Sequence, residues 1–461
     1  MNNTPVWDTG LISKYNLSGP RYTSYPTAVQ FSEDFDQKHY QSSAWHSSAT
    51  DKPLSLYFHI PFCQHVCYYC ACNKIVTRNT DQAETYLKYL FKEIELQAEL
   101  YNAKQEVQQL HLGGGTPTFL NEQQISALIN KVSEHFTLSH GNDIDYSIEL
   151  DPREVDWPMM ATLRDSGFTR ISIGVQDLDP VVQKAVNRLQ TEEQIQSVLD
   201  AAHAMAFKSV HMDLIYGLPH QTLNGFMTTI NKIITMQPDR VSLFNYAHLP
   251  HRFMPQRRIS EADLPDASVK LQILQQATRK LLDSGYVYIG MDHFALPDDE
   301  LAIAQEEGTL HRNFQGYTTH SQCDLVGMGV SSISKVGKTY AQNHTDMAEY
   351  QSAIDENRLP LHRGLKMTKD DQIRQSVINE LICHFRLEPA MIEQQYGIDF
   401  PTYFLSELIN LKPLEQDGLV SVTPEVLEVT PAGKLLIRNI CMVFDRYFQQ
   451  QNNVKHFSKV I

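Results

Sequence analysis

The chain has 461 residues, 42% hydrophobic and 20% charged, with a formal net charge of −15. That length suits one large catalytic domain plus a smaller one, and the composition carries no sign of disorder. The acidic balance lacks the basic footprint of a nucleic-acid binder, no apolar run approaches the ~20 residues that cross a bilayer, and MNNTPVWDTG lacks the basic and apolar regions of a secretory leader. The expectation is a cytoplasmic monomer with no nucleic-acid and no membrane partner.

Residues 1–50 contain SGPRYTSYPTA, which Pro20 and Pro26 make too broken for a helix. The segment reads as a disordered tail or as an N-terminal arm packed over something, and Arg21, Tyr22 and Tyr25 favour the arm. From Leu54 the pattern is regular: short apolar stretches at Leu54–Ile60, Gln108–Leu112, Ile144–Glu149, Arg170–Val175, Val210–Leu214 and Val241–Tyr246 alternate with segments of helical period. Leu87, Leu90, Phe91 and Ile94 make one apolar helix stripe; Ile195, Val198, Leu199, Ala202 and Met205 make another. Six β/α units wound in one hand predict an α/β fold, a partial (β/α)6 TIM-like barrel whose functional loops follow the carboxyl ends of the strands.

The polar oddities fall at those ends. After the first stretch comes LSLYFHIPFCQHVCYYCACNK, with Cys63, Cys67 and Cys70 in C-x3-C-x2-C spacing and Cys72 beyond, four of the seven cysteines of the chain. After the second comes Gly113-Gly-Gly-Thr-Pro117, where glycines let backbone approach a ligand or simply make a tight turn. Glu149 and Asp151 end the third, Gly174, Val175 and Gln176 the fourth, and Asp213 stands in the fifth; a buried carboxylate or amide needs a partner. Residues 366–461 change character. Helical periods at Asp371–Cys383 and Leu405–Leu411 precede a hairpin of Leu419–Val422 with Leu427–Thr430 and a final helix from Pro431, a small, mostly helical, winged-helix-like module. Winged helices often bind DNA, but the acidic chain makes an active-site cover the better expectation. The resulting domains are 1–50, 51–365 and 366–461.

Thiolates are soft ligands for zinc or iron-sulfur clusters. A closed zinc site recruits a second Cys or His pair, and no such pair is visible, whereas three cysteines suit a 4Fe-4S cluster with one iron left open. A zinc or redox loop is the plainer alternative. Cys72 is an awkward fourth ligand, because in an extended chain it and Cys70 point to opposite sides.

The spacing, with Tyr69 before Cys70, resembles the radical S-adenosylmethionine enzymes. More specifically, LYFHIPFCQHVCYYCACNK, LHLGGGTPT, SIELDPRE, SIGVQD, DLIYGLP, FNYAHLP, MDHFALP and HRNFQGYTT, with SGPRYTSYPT before and LLIRNICMVFD after, resemble the oxygen-independent coproporphyrinogen III oxidases over nearly the whole chain. The resemblance implies the radical-SAM type of partial barrel, one 4Fe-4S cluster on Cys63, Cys67 and Cys70, and S-adenosylmethionine held by Tyr57, Gly114, Gly115, Thr116, Glu149, Gln176, Arg188, Asp213 and Ala247. The implied reaction is oxidative decarboxylation of two propionates of coproporphyrinogen III to vinyl groups without oxygen, fed by a reducing protein of flavodoxin or ferredoxin type. A haem or porphyrin carrier of the same superfamily is the alternative, and Cys72, the arm and the Arg188 and Asp213 set favour the enzyme.

Cys72, Tyr57 and His59 are the expected catalytic side chains. Four substrate carboxylates require cations; Arg21 and Arg312 are the candidates against a plain packing role, with His59 and His293 as nearer polar contacts. Two propionates consume two S-adenosylmethionine molecules, by exchange or with a second one bound, and Phe314, Gln315 and Ile333 are associated in this family with a second molecule. By residue type alone Phe314 and Ile333 read as core.

Overall fold

The computed structural model describes residues 4–141 and 144–450. The chain forms two compact units, Phe31–Ile273 with Gln322–Lys366, and Met1–Gln30, Leu274–Ser321 and Met367–Ile461.

The larger unit is built on a sheet of β1 (Leu54–Ile60), β2 (Glu106–Gly114), β3 (Asp145–Leu150), β4 (Arg170–Gln176), β5 (Ser209–Tyr216), β6 (Arg240–Asn245), β7 (Asp324–Met328), β8 (Ile333–Val336), β9 (Thr339–Asn343) and β10 (Leu361–Lys366). The order is β6-β5-β4-β3-β2-β1-β7-β8-β9-β10; the ladders from β6 to β7 are parallel and the last three antiparallel. The six expected strands are the first six of this row. The sequence reading missed β7 to β10. DLVGM is a fully buried run whose brevity gives no periodic signal, and Gly329, at φ +94°, turns the chain back into the antiparallel segment.

Between the strands run α1 (Asp81–Ala98), α2 (Glu122–His135), α3 (Trp157–Asp165), α4 (Glu192–Ala204) and α5 (Leu223–Met236). Reciprocal Asn121/Gln124 and Thr191/Gln194 capping boxes start α2 and α4. Leu87, Leu90 and Ile94 are buried as expected, but Phe91 is only half-buried and the stripe of α1 includes a fully buried Glu93.

Alternation along the strands separates two chemistries. On one face Leu54, Leu56, Phe58 and Ile60, Leu110 and Leu112, Tyr146, Ile148 and Leu150, and Val210, Met212 and Leu214 are buried apolar side chains. The opposite face carries Ser55, Tyr57 and His59, then Gln109 and His111, Ser147 and Glu149, Ser172 and Gly174, and His211 and Asp213. Parallel register sets these side by side: Tyr57 pairs with His111, His111 with Ser147, Glu149 with Ser172, and Gly174 with Asp213.

In the smaller unit SGPRYTSYPT is tied to the C-terminal helices. Arg438 donates to the Gly19 and Pro20 carbonyls, the Tyr22 hydroxyl to Asp445 at 3.0 Å, and Gln375 to the Tyr25 carbonyl at 2.7 Å. Helices Lys369–His384 and Leu405–Gln416 lie where expected, and the hairpin strands Val420–Val422 and Leu427–Val429 gain a third strand, Arg386–Leu387. The last apolar helix starts at Ile437 rather than Pro431, because residues 431–436 form a turn and a short 3-10 segment. Among the described residues no helix is long and apolar enough to cross a membrane.

Candidate functional site

At the carboxyl ends of the parallel strands of the larger unit lies a cavity of about 170 Å³. Its walls include all four loop cysteines, Gly114, Gly115, Thr116, Glu149, Asp151, Arg153, Gln176, Arg188 and Asp213.

The cysteine loop is pinched shut at its base. Phe62–Cys63 pairs in parallel with Ile75–Val76, through Ile75 N–H to the Pro61 carbonyl at 2.6 Å and Thr77 N–H to the Cys63 carbonyl at 3.0 Å. Its far side rests on neighbouring βα loops: Tyr68 N–H donates to the Val186 carbonyl at 3.0 Å, Asn187 to the Val66 carbonyl at 2.8 Å and Gln256 to the Tyr69 carbonyl at 2.9 Å. Tyr68 and Tyr69 pack on Val182, Val186, Leu218, Tyr246 and Ile259. The thiols therefore sit on a frame fixed by tertiary contacts rather than on a free loop.

Cys70 and Cys72 correct one expectation. The chain bends at Cys72 instead of extending, the Lys74 ammonium donates to both the Cys70 and Cys72 carbonyls, and both side chains line the cavity, with Cys72 the more exposed. A hydrogen bond between the two thiols holds Cys70 below the ordinary thiol range and pushes Cys72 above it. Burial pushes Cys63 up to about 12, against the pull of the Thr116 hydroxyl at 3.5 Å.

The glycine run is shaped by this packing. Gly115 donates to the Ile60 carbonyl at 2.8 Å, and a Cβ there would stand 2.6 Å from the Phe62 oxygen and 3.0 Å from Cys63 Sγ. Gly114 has φ +116° and donates to Glu149 at 3.1 Å. Glu149 also faces His111 at 3.4 Å; burial raises its carboxyl, but His111 and the Gly114 N–H outweigh that and hold it below the usual range.

Tyr57 and His59 form a wired pair beside this wall. His59 Nε2 lies 3.0 Å from the Asn73 carbonyl, and Nδ1 lies 3.1 Å from the Tyr57 hydroxyl. A carbonyl only accepts, so Nε2 carries the proton and Nδ1 accepts from Tyr57. Burial lowers the His59 pKa, favouring this neutral form. The Tyr57 ring stacks on His111, with centroids 5.8 Å apart and planes 13° apart.

On the far wall Asp213 accepts from Ser172 at 2.8 Å, and Gln176 adopts φ +66° where the β4–β5 register shifts. Arg188 donates to Asp151 at 3.0 Å and to the Gly174 carbonyl, and its Nε is buried without a hydrogen-bond partner among the described residues. Sequence reasoning missed His111 and Arg153. The signal for His111 was present in LHLGGG, where alternation places it on the face of Gly113.

Ala247 lies half-buried on the loop after β6 and Ile333 opens β8; neither lines the cavity. Phe314 and Gln315 form the turn of the hairpin His311–Asn313/Gly316–Thr318 in the smaller unit. In that unit Arg21 stands 3.7 Å from Asp292, the Arg312 guanidinium lies over Tyr317 at 4.7 Å, and His293 meets the same ring edge-on at 5.3 Å. A larger cavity of about 580 Å³, lined by Tyr286, Tyr288, Glu380 and His384, is also in the smaller unit and contains none of the expected site residues.

Comparison with known proteins gives a consistent picture. Residues 57–233 match the Radical SAM superfamily and residues 367–436 the HemN C-terminal domain. The oxygen-independent coproporphyrinogen III oxidase of Pseudomonas aeruginosa is 52% identical over 464 residues, covering 100% of both chains. That of Escherichia coli (strain K12) is 52% identical over 99% of this chain and 98% of its own. The solved structure described as coproporphyrinogen III oxidase (HemN) from Escherichia coli, a radical SAM enzyme, superimposes with a TM-score of 0.92 at 50% identity, covering 96% of this chain and 100% of that one.

Proposed function

We propose an activity from the premise that this chain belongs to the oxygen-independent coproporphyrinogen III oxidases. It converts two propionate side chains of coproporphyrinogen III to vinyl groups without oxygen, giving protoporphyrinogen IX in haem biosynthesis, with a 4Fe-4S cluster and S-adenosylmethionine as cofactors. The observation that carries this reading is one cavity bringing four cysteines together with the polar ends of β2 to β5, in a chain that aligns end to end with its relatives.

The donor set suits the cofactors. Cys63, Cys67 and Cys70 are three soft ligands on a prebuilt frame, one fewer than a closed cluster needs, and so leave an iron for a non-protein ligand. When bound, the cluster and S-adenosylmethionine supply the one-electron chemistry that removes a hydrogen atom from a propionate β-carbon.

The chain's own residues bind, orient and hold protons. The Gly114 and Gly115 backbone and Thr116 give the nucleoside a close approach, while the ionised Glu149, Asp213 and the Gln176 amide suit ribose hydroxyls and an ammonium group. Arg188 is the cation on the wall nearest Cys67. The Asn73–His59–Tyr57 chain fixes the Tyr57 hydroxyl, with the proton kept on His59 Nε2, so His59 positions Tyr57. Cys72, exposed beside the three ligands, is assigned to the catalytic step rather than to the cluster. Arg21 and Arg312 are the proposed partners of the substrate carboxylates. Electrons are proposed to come from a flavodoxin- or ferredoxin-type protein, and the setting is proposed to be the cytoplasm.

The test is anaerobic reconstitution with iron and sulfide, followed by reductant, S-adenosylmethionine and coproporphyrinogen III. Protoporphyrinogen and two equivalents of methionine per substrate are the expected products. Stable haem binding with no cleavage of S-adenosylmethionine would instead mark a carrier.

A further inference from the structure

The turn after β3, Asp151-Pro-Arg153-Glu154, holds a charge arrangement that the activity does not by itself require. Asp151 is 5% exposed and accepts from Arg153 through both arms of the guanidinium, Nε at 2.9 Å and Nη2 at 2.6 Å, and through the Arg153 backbone N–H at 3.1 Å. The same carboxylate accepts from Arg188 Nη1 at 3.0 Å, with Arg188 itself 7% exposed. One carboxylate thus stands between two guanidinium groups. The next acid, Glu154, is turned to His65 at 3.4 Å.

Glu154 also lies within electrostatic reach of Arg153, so the turn is not short of negative charge as a whole; what the geometry leaves open is the guanidinium N–H groups that Asp151 does not take, which in a region largely withdrawn from water need an acceptor. Both guanidinium groups turn an N–H edge to the same atom: Cys67 Sγ lies 3.6 Å from Arg188 Nη1 and 4.0 Å from Arg153 Nη2. The Cys67 sulfur is the atom both are aimed at, and as a cluster ligand it would be the acceptor they serve. Guanidinium suits this task, because its planar fork grips the carboxylate with one edge and keeps other N–H groups free for the sulfur.

We propose that Arg153, acting with Arg188, is a tuning residue that directs positive charge and N–H donors at the Cys67 sulfur and so raises the reduction potential of the cluster. The inference rests on the assignment of Cys67 as a cluster ligand. Net charge and hydrogen bonds to the sulfurs are established levers on cluster potential. Reduction adds one electron, taken from the external low-potential donor, and so adds one negative charge to the cluster and its thiolates. A fixed positive charge at about 4 Å from a ligand sulfur, screened weakly at a buried site, favours that state over the oxidised one. Asp151 works in the opposite sense, since it aims the two guanidinium groups and cancels half of their charge.

The two residues therefore predict shifts of opposite sign. Full-length Arg153→Gln, Arg153→Lys and Asp151→Asn proteins, reconstituted anaerobically and assayed for iron and sulfide, would be titrated with a low-potential mediator series while the reduced cluster is followed by electron paramagnetic resonance. Arg153→Gln is expected to lower the midpoint, Arg153→Lys to lower it less, and Asp151→Asn to raise it. A wild-type midpoint in both Arg153→Gln and Asp151→Asn at full iron content overturns the proposal, as does a shift of the same sign in both. If Arg153→Gln does not retain iron, Arg153→Lys and Asp151→Asn decide by the same rule. Cys67→Ser separates this inference from the reading beneath it: full iron in that variant removes Cys67 from the cluster, whereas loss of iron there with unshifted Arg153 variants sinks only the tuning role.

Discussion

Replacing Gly115 by alanine tests whether the glycine run is there to seat the cysteine loop. The added methyl would stand 2.6 Å from the Phe62 oxygen, 2.9 Å from the Pro61 carbonyl carbon and 3.0 Å from Cys63 Sγ, and the first two of these atoms are backbone. Neither yields easily, because Phe62 accepts from Thr116 N–H at 2.7 Å and Ile60 from Gly115 N–H at 2.8 Å. Relief requires the Phe62–Cys63 strand to retreat by roughly half an ångström, at an overpacking cost of ~1–3 kcal/mol. Losing one of those two hydrogen bonds adds ~1 kcal/mol. The expected total is ~2–4 kcal/mol of stability. If only half of it falls on the three-thiol geometry, iron retention weakens by about an order of magnitude. Urea unfolding of the cluster-free protein and iron per chain after reconstitution measure the two parts. Wild-type stability together with full iron would refute the argument.

Cys72→Ser is expected to keep the cluster's iron and visible absorption and to lose product formation; iron loss comparable to that of Cys70→Ser would make Cys72 a ligand. Glu93 is fully buried, accepting from the Gly329 N–H, Asn343 and the Tyr350 hydroxyl, and burial raises its pKa from 4.5 to about 7. Because the folded state holds this proton more tightly, the stabilisation is complete below about pH 4.5 and is lost as pH rises through about 7, an effect on the order of 3 kcal/mol. Glu93→Gln should remove that fall from urea unfolding measured at pH 5 and pH 8, and an unchanged fall would locate it elsewhere. Arg312 has Nε and Nη1 buried without hydrogen-bond partners among the described residues, so Arg312→Met is expected to leave stability unchanged or raise it by ~1 kcal/mol. The same change should weaken coproporphyrinogen binding roughly 10- to 100-fold, the worth of a hydrogen bond to a charged group. Equal affinity in anaerobic equilibrium titration would remove Arg312 from substrate recognition.

The six parallel strands were legible because each is a short apolar run at the end of a helical period, and four loop cysteines cannot be mistaken for core. What escaped notice depends on contacts distant in sequence. Glu93 looks like any polar residue of an amphipathic helix, and only the Gly329–Asn343 turn, about 240 residues later, makes it internal. β7 is as apolar as a strand but too short and too close to glycines to be separated from a turn. Arg153 acquires meaning only beside Arg188, which arrives from the loop after β4, and the relation of Cys70 to Cys72 is set by a bend that local spacing does not announce. Periodicity reports which face of an element is wet; it does not report which of two distant polar groups will share a proton.

The division of each strand into an apolar and a polar face also has a consequence for how this chain tolerates change. A single-residue insertion or deletion inside β1, β2 or β5 would exchange the two faces beyond that point. It would carry His59, His111 or Asp213 into the packed layer and bring Phe58, Leu112 or Met212 into the cavity. Core and site are written on alternate letters of the same strands, so neither can drift in length independently of the other. Changes in length are therefore expected to be tolerated best in the turns at the amino-terminal ends of the strands, and a sequence that keeps the frame of the core keeps the frame of the site as well.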